Sequence, residues 1–457
     1  MGALAVLSVS AWTFETSALA AGGDLDPTFG DGGLVASTEF FEGLAGGNRI
    51  AFQPDGRIVV AGYLYPGEEH TVFAVARFEV SGLPDPTFSG DGIATTTFHA
   101  DEGCDEEARS VVVQADGRIV AVGVSSCPSP GGGDGTFAIA RYGEDGAPDP
   151  TFGDNGTVMT GFGDPEDCSA HAESVALDPQ GAIVVAGTMD CTKAGIDSRF
   201  AIARYATDGS LDSSFSDDGR VTTNFTPQYD KASDVAVQSD GKVVVSGTAA
   251  YWIVEIPDAL PSRAALVRYE LDGTLDPTFG GDGRVMTSFR SRRCPGSNES
   301  YGLAIQPDGM IVEGGSAACA AEARGVPHPR WALARYRPDG TLDPAFGGDG
   351  RVVSIFSDIT WGDWMSAGIA IQSDGKIVAA GSTCRSNPRF ALARYRPSGR
   401  LDRAFGDDGR VRTVFGTGRG CAQGGWGGLG IQGDGKIVVS GGGGCLKAFA
   451  MARFLPS

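Results

Sequence analysis

This 457-residue chain is poor in the features that usually announce a function. Beyond residues 1–20 no segment is long and apolar enough to span a bilayer, which sets aside a helical membrane protein for the remainder. No stretch there keeps a helical period, so helices have little place in the fold. Bases are scarce beside acids, 36 Lys and Arg against 57 Asp and Glu, for a net charge of −21. Such a surface repels nucleic acid and anionic membranes, and neither is expected as a partner. There is no Ser-His-Asp order, G-x-S-x-G elbow, H-E-x-x-H or Walker loop, and the four histidines, His70, His99, His171 and His328, are scattered. No catalytic residue and no cofactor is assigned.

Closely spaced metal-ligand cysteines are missing as well. Eight of the nine cysteines form pairs 23 to 25 residues apart: Cys104 with Cys127, Cys168 with Cys191, Cys294 with Cys319, and Cys421 with Cys445. Each pair brackets one hairpin, so four disulfides are expected and zinc is not. The chain-entropy model assigns each roughly 3 kcal/mol at most. Cys384 occupies a second-cysteine position without a partner, as a free thiol or an intermolecular link. Disulfides persist in oxidising compartments, which points to a secreted or cell-envelope protein.

Abundance lies in repetition. An arginine closing a FAVARF-like segment recurs at Arg77, Arg141, Arg204, Arg268, Arg335, Arg394 and Arg453. Eight residues after the first six come Asp85, Asp149, Asp212, Asp276, Asp343 and Asp402. Asp26 has no arginine before it, and Arg453 has no aspartate after it. Each unit offers four short strands. SVVVQ-like and RIVVAG-like segments meet at an Asp-Gly turn, which favours a type I′ hairpin. FALARY-like segments follow, then an LDPTFGGDG turn and a strand such as Arg284 to Phe289. Seven units of four strands predict an all-β fold, a seven-bladed β-propeller of four-stranded antiparallel blades. The phase places a fourth strand first, Leu34 to Thr38, and a third strand last, Phe449 to Phe454. Closure is therefore expected by the N-terminal strand completing the last blade, with Arg453 meeting Asp26. This removes exposed sheet edges, and a monomer is expected.

These motifs resemble the bacterial delta-60 repeat family, whose units read like GKIVVAG, FALARY and GSLDTTFGGDG. The resemblance covers essentially all of residues 21–457 and implies a β-propeller, often exported, with no activity or site residue attached. Residues 1–20 read as a signal peptide ending in Ala18-Leu19-Ala20, although no basic residue precedes the apolar stretch. A short membrane anchor is the alternative.

Symmetry sorts the candidate residues. The Arg–Asp pairs and the turn phenylalanines (Phe29, Phe88, Phe152, Phe215, Phe279, Phe346, Phe405) recur in every copy and read as scaffold. The Gly-Asp-Gly turns lack the ligand set of a calcium loop, so no metal is assigned. Function is expected where the repeat breaks, on the face carrying the variable loops. Tyr251, Trp252, Trp361, Trp364 and Trp426 are the candidate binding residues there, suited to a glycan or a protein partner or else to packing the loops. Acids on the same face, Asp101, Glu102, Asp105, Glu106 and Glu107, could serve glycoside chemistry if two were suitably spaced. The expected function is a non-catalytic binding or adhesion module, the alternative a hydrolase or lyase working at the mouth of the channel. Two or more titratable groups converging at that mouth would favour the enzyme; flat aromatic loops would favour binding.

Overall fold

The computed structural model describes residues 21–36, 46–65, 70–99, 103–127, 135–163, 167–191, 197–250, 262–289, 294, 296–319, 328–354, 363–383, 389–413, 424–425, 427–443 and 448–456. Residues 1–20, Tyr251, Trp252, Trp361, Trp426, Asp101, Glu102, Cys384, Cys421 and Cys445 lie outside them.

The first hairpin shows how one unit is made. Ile58–Leu64 pairs antiparallel with Arg49–Phe52 on one side and Val72–Phe78 on the other, and Ile93–Thr96 completes the sheet. The turn is not the type I′ expected, which needs a positive φ at both central residues. Gly56 alone has one, 88°, and Pro54, Asp55 and Gly56 form a three-residue loop between the paired Gln53 and Arg57. Along Val72–Phe78 both faces are buried, so alanines alternate with large residues to let neighbouring sheets approach. The same four-stranded order recurs along the chain. Two consecutive units are joined through a single bridge, Ser198 to Tyr229, and otherwise repeat the pattern. Among the described residues the one helix is the four-residue turn Ser216–Gly219, and no helix is long and apolar enough to cross a membrane.

The last sheet is built from both ends of the chain. Leu34–Ala36 pairs antiparallel with Ala448–Phe454, Leu34 opposite Ala452 and Ala36 opposite Ala450. Thr38, expected in this strand, lies outside the described residues. Ile437–Gly443 lies on the other side of Ala448–Phe454.

Apolar cores lie between successive sheets. One joins Val120, Phe137 and Phe152 to Ile183 and Tyr205; another joins Phe29, Phe449 and Met451 of the last sheet to Ile58, Val60 and Phe78 of the first. The first strands lie side by side in order: Arg49–Phe52, Asp105–Val113, Cys168–Leu177, Tyr229–Val237, Asn298–Ile305, Asp363–Ile371 and Leu429–Ile431, the last again beside the first.

These strands begin earlier than the repeat motif suggests. SVVVQ marks only the end of Asp105–Val113; Asp105, Glu106 and Glu107 are strand residues, not loop residues. A bulge explains the concealment. Register shifts between Ala108 and Ser110, Ala172 and Ser174, Ala232 and Asp234, and Ser300 and Gly302 break the alternation that reveals a strand. The bulge also accounts for the glycine ending the RIVVAG-like segment in these four copies. A Cβ on Gly123 would sit 1.8 Å from the Glu107 carbonyl oxygen, and one on Gly187 would sit 1.9 Å from that of His171.

Candidate functional site

At the turn end of the sheets the repeated residues form a brace. Arg77 donates from Nε to Asp85 at 2.7 Å, from Nη2 to Thr87 at 2.8 Å, and stacks its guanidinium 4.8 Å over the Phe88 ring. Its remaining amino group donates to the Glu144 carbonyl, which belongs to the next sheet. Arg335 does the same to Pro397 at 2.6 Å, and Arg453 to Val80 of the first sheet. The arginine is thus a clamp between sheets as well as within one. The seven turn phenylalanines are fully buried.

A second cation often shares the aspartate, which the repeat arithmetic missed. Arg57 joins Arg77 at Asp85, Arg118 joins Arg141 at Asp149, and Lys436 joins Arg453 at Asp26. Burial alone would raise the Asp26 carboxyl; Thr28, Arg453 and Lys436 hold it down at about 2. Arg204 departs from the pattern, dividing itself between Asp212 at 3.2 Å and Asp178 at 2.9 Å. Asp178 stands where other copies have Gln53, Gln114 or Gln238.

At the opposite, loop end the first strands carry different side chains in each copy. Arg109 bonds the Glu173 carboxylate of the next sheet and holds Glu107 at 3.6 Å. These three side chains are 26–29 % exposed. Burial among the first strands pushes the Glu173 carboxyl up, against the pull of Arg109, Lys231 and Arg49. Because about a quarter of the side chain still meets solvent, Glu173 lines a wet recess and not a dry core. Burial, with Arg109 and Lys231, lowers His171 to about 4, so its imidazole is neutral at physiological pH. Its Nδ1 is buried without a hydrogen-bond partner among the described residues.

The line continues into the following sheets. Lys231 lies 4.9 Å over the Tyr229 ring; burial opposes its charge, and Tyr229, Asp190 and Glu173 raise its pKa nonetheless. Tyr301 donates to Glu299, while burial and that carboxylate push its phenol upward. On the other flank burial and Glu107 raise Tyr63 to about 12, and the half-open Tyr65 ring meets Tyr63 edge-on at 5.5 Å. We call this recess the mouth. Fixed charge pairs offer planar, bidentate donors and acceptors, and tyrosines offer faces for stacking. That suits a ligand rich in hydroxyl groups.

Of the acids singled out from the sequence, Glu107 alone faces the mouth among those described. Asp105 accepts from the Thr71 backbone, and Glu106, buried, accepts from the backbone of Phe98 and His99 and from Ser125. These two fasten loops. The aromatic candidates are not brought together: Trp364 belongs by its backbone to Asp363–Ile371, its side chain lies outside the described part, and the other four are not described. Disulfides join Cys104 to Cys127, Cys168 to Cys191 and Cys294 to Cys319 on this face. His99 and the sulfurs of Cys104 and Cys127 lie within 4.8 Å of one another, but the sulfurs are bonded to each other and are not thiolate ligands. Tyr63, Tyr65, Arg109, Glu173, Tyr229, Lys231, Glu299 and Tyr301 were not assigned to a site from sequence. The available signal was that the positions just before each Ser110-like residue differ in chemistry from copy to copy.

Repeated four-stranded antiparallel sheets packed through their faces define the class, a β-propeller. The chain belongs to the family described as "Domain of unknown function (DUF5122) beta-propeller", which matches residues 53–88, 114–152, 179–215, 238–279, 306–346 and 372–405. No curated protein matches the sequence. Among solved structures the chain is similar to one titled a new family of polysaccharide lyase, PL25 ulvan lyase, at 9 % identity and a TM-score of 0.52, covering 92 % of this chain and 95 % of that one. It is also similar to polysaccharide lyase Uly1, at 12 % identity and a TM-score of 0.47, covering 90 % of each chain. A protein of unknown function from Dyadobacter fermentans follows at 10 % identity and a TM-score of 0.45, covering 91 % of this chain and 96 % of that one. The likeness to the PL25 ulvan lyase structure, at 9 % identity, speaks to the fold alone.

Proposed function

We propose that residues 21–457 form an exported, monomeric, seven-bladed propeller, closed by the N-terminal strand, that binds a neutral saccharide at its mouth. The cyclic order of first strands and the core shared by the last and first sheets support closure. The disulfides support an oxidising compartment, and residues 1–20 would then be a cleaved signal. The observation that carries the binding reading is the run of unrepeated tyrosines and paired charges from Tyr65 through Arg109 and Glu173 to Lys231 and Tyr301. Neutral sugars are favoured over acidic ones because a polyanion would approach a chain of net charge −21. The test is calorimetric titration with a panel of neutral tetrasaccharides, wild type against Tyr65→Ala and Lys231→Ala. Binding weakened by both substitutions is expected; no binding, or binding indifferent to both, overturns the reading.

Convergence of titratable groups favours a second reading, a hydrolase or lyase in the same recess. Glu107 and Glu173 contact different nitrogens of one guanidinium, so two carboxylates converge on one cation, and glycoside hydrolysis works with such a pair. Reducing-end assays on any sugar that binds decide it: turnover abolished by Glu173→Gln supports an enzyme, and binding without turnover leaves a module that only binds.

A further inference from the structure

We infer that the mouth is a blind recess, floored by the Arg49–Asp234 pair, and that it takes the end of a saccharide chain and not its interior. This rests on the saccharide reading above.

Arg49 begins the first strand of its sheet, and Asp234 lies 185 residues later in Tyr229–Val237. Their strands are not neighbours. Two first strands separate them in one direction and three in the other. A side chain joining them must therefore cross the space that all the first strands surround. Arg49 does so twice over, with Nη1 3.2 Å from one carboxylate oxygen of Asp234 and Nη2 3.1 Å from the other. It also donates to the Ser233 carbonyl at 3.4 Å.

Asp234 is fully committed. It accepts from the Ser174 hydroxyl at 2.7 Å, from the Leu303 backbone at 2.9 Å and from its neighbour Val235 at 3.0 Å, in addition to Arg49. A carboxylate with its lone pairs so occupied has nothing left to offer a ligand. It is a tie between four sheets, and the charge pair lies toward the turn end from Glu107, Arg109 and Glu173. A ligand arriving from the loop side meets the polar walls first and then this floor. Threading a polymer through would break a multiply bonded ion pair and strand its buried carboxylate, which is costly. A chain end needs no such passage.

The experiment uses the full chain and one neutral tetrasaccharide that binds, set against longer chains of the same sugar. If ends are bound, chains about tenfold longer bind about tenfold weaker by mass, and equally at matched concentrations of ends. Arg49→Ala opens the floor and brings long chains closer to short ones by mass; Asp234→Ala, which removes the other half of the floor, gives the same trend if Arg49→Ala fails to fold. Long chains binding as well as tetrasaccharides by mass overturn the inference and leave the saccharide reading intact. Failure of every neutral saccharide to bind overturns both.

Discussion

At the turn end of each sheet an arginine, an aspartate and a phenylalanine recur, whereas the matching loop-end positions hold Glu107, His171, Lys231 and Glu299 in turn. Most Arg–Asp pairs of the brace are buried. Arg394 and Asp402 are 2 % and 4 % exposed and carry their partners with them. Arg109 and Glu173 at the loop end are each about a quarter open to water. A group needed for the integrity of every sheet is copied with the sheet; a group needed once, for one ligand, is not. The two ends therefore differ in what a substitution should damage.

Removing residues 21–36 should do the most harm. It strips Leu34–Ala36 from Ala448–Phe454 and leaves Arg453 without Asp26. The melting temperature should fall further than for any single substitution and aggregates should form, as read by calorimetry and gel filtration. Unchanged melting would mean that the last sheet does not depend on the first strand.

Next comes a single clamp. Arg335→Ala strands the buried Asp343 and releases the Pro397 carbonyl, at an expected cost of about 3–5 kcal/mol in urea unfolding. Arg204→Ala should cost as much, because it strands Asp178 along with Asp212. The depressed carboxyls of the brace also set the acid limit. With Asp26 held at about 2 against an ordinary 3.8, its stabilisation is complete above that ordinary value and disappears as pH falls through 2.

A buried acid outside both ends should act in the opposite direction. Glu313 stands where other copies have Val60, Ala121, Val185 or Val245, accepts from the Tyr336 hydroxyl at 2.6 Å, and is raised by burial to about 7 although Tyr336 and Ser300 pull it down. The folded chain keeps a proton that the unfolded chain releases above its ordinary 4.5, so stability declines from pH 4.5 to 7 and stays reduced above. Glu313→Gln should therefore stabilise by up to about 3 kcal/mol at pH 8 and hardly at all at pH 4.5. An equal effect at both values would contradict this account.

The smallest stability effect is expected at the mouth. Arg109→Ala should cost under about 1 kcal/mol, since its partners can rehydrate, while weakening saccharide binding more than tenfold. A loss as large as that of Arg335→Ala, with binding unaffected, would erase the distinction between the two ends.

Much of the fold was legible because a repeat displays its scaffold many times over. The Asp-Gly turns, the alternating FALARY strands and the eight-residue spacing from arginine to aspartate all express local geometry. Arg453 with Asp26 followed from the phase of the repeat alone, and the contact is present at 2.8 Å. Cysteine spacing likewise led to the three disulfides seen among the described residues. The mouth was not legible in this way. Bulges at Arg109, Glu173 and Tyr301 interrupt the alternation of the first strands, so their charged halves looked like loop.

The amino-acid sequence by itself determined the all-β repeat, the brace within a unit and the three disulfides among the described residues, because these depend on residues a few positions or one hairpin apart. Tertiary structure alone decided that each arginine also clamps the next sheet, that Arg49 meets Asp234 across 185 residues, and that Glu107, Arg109, Glu173 and Lys231 come together at the loop end. Those contacts arise between different copies of the unit, where no spacing along the chain sets the distance and only the packing of whole sheets brings the side chains together.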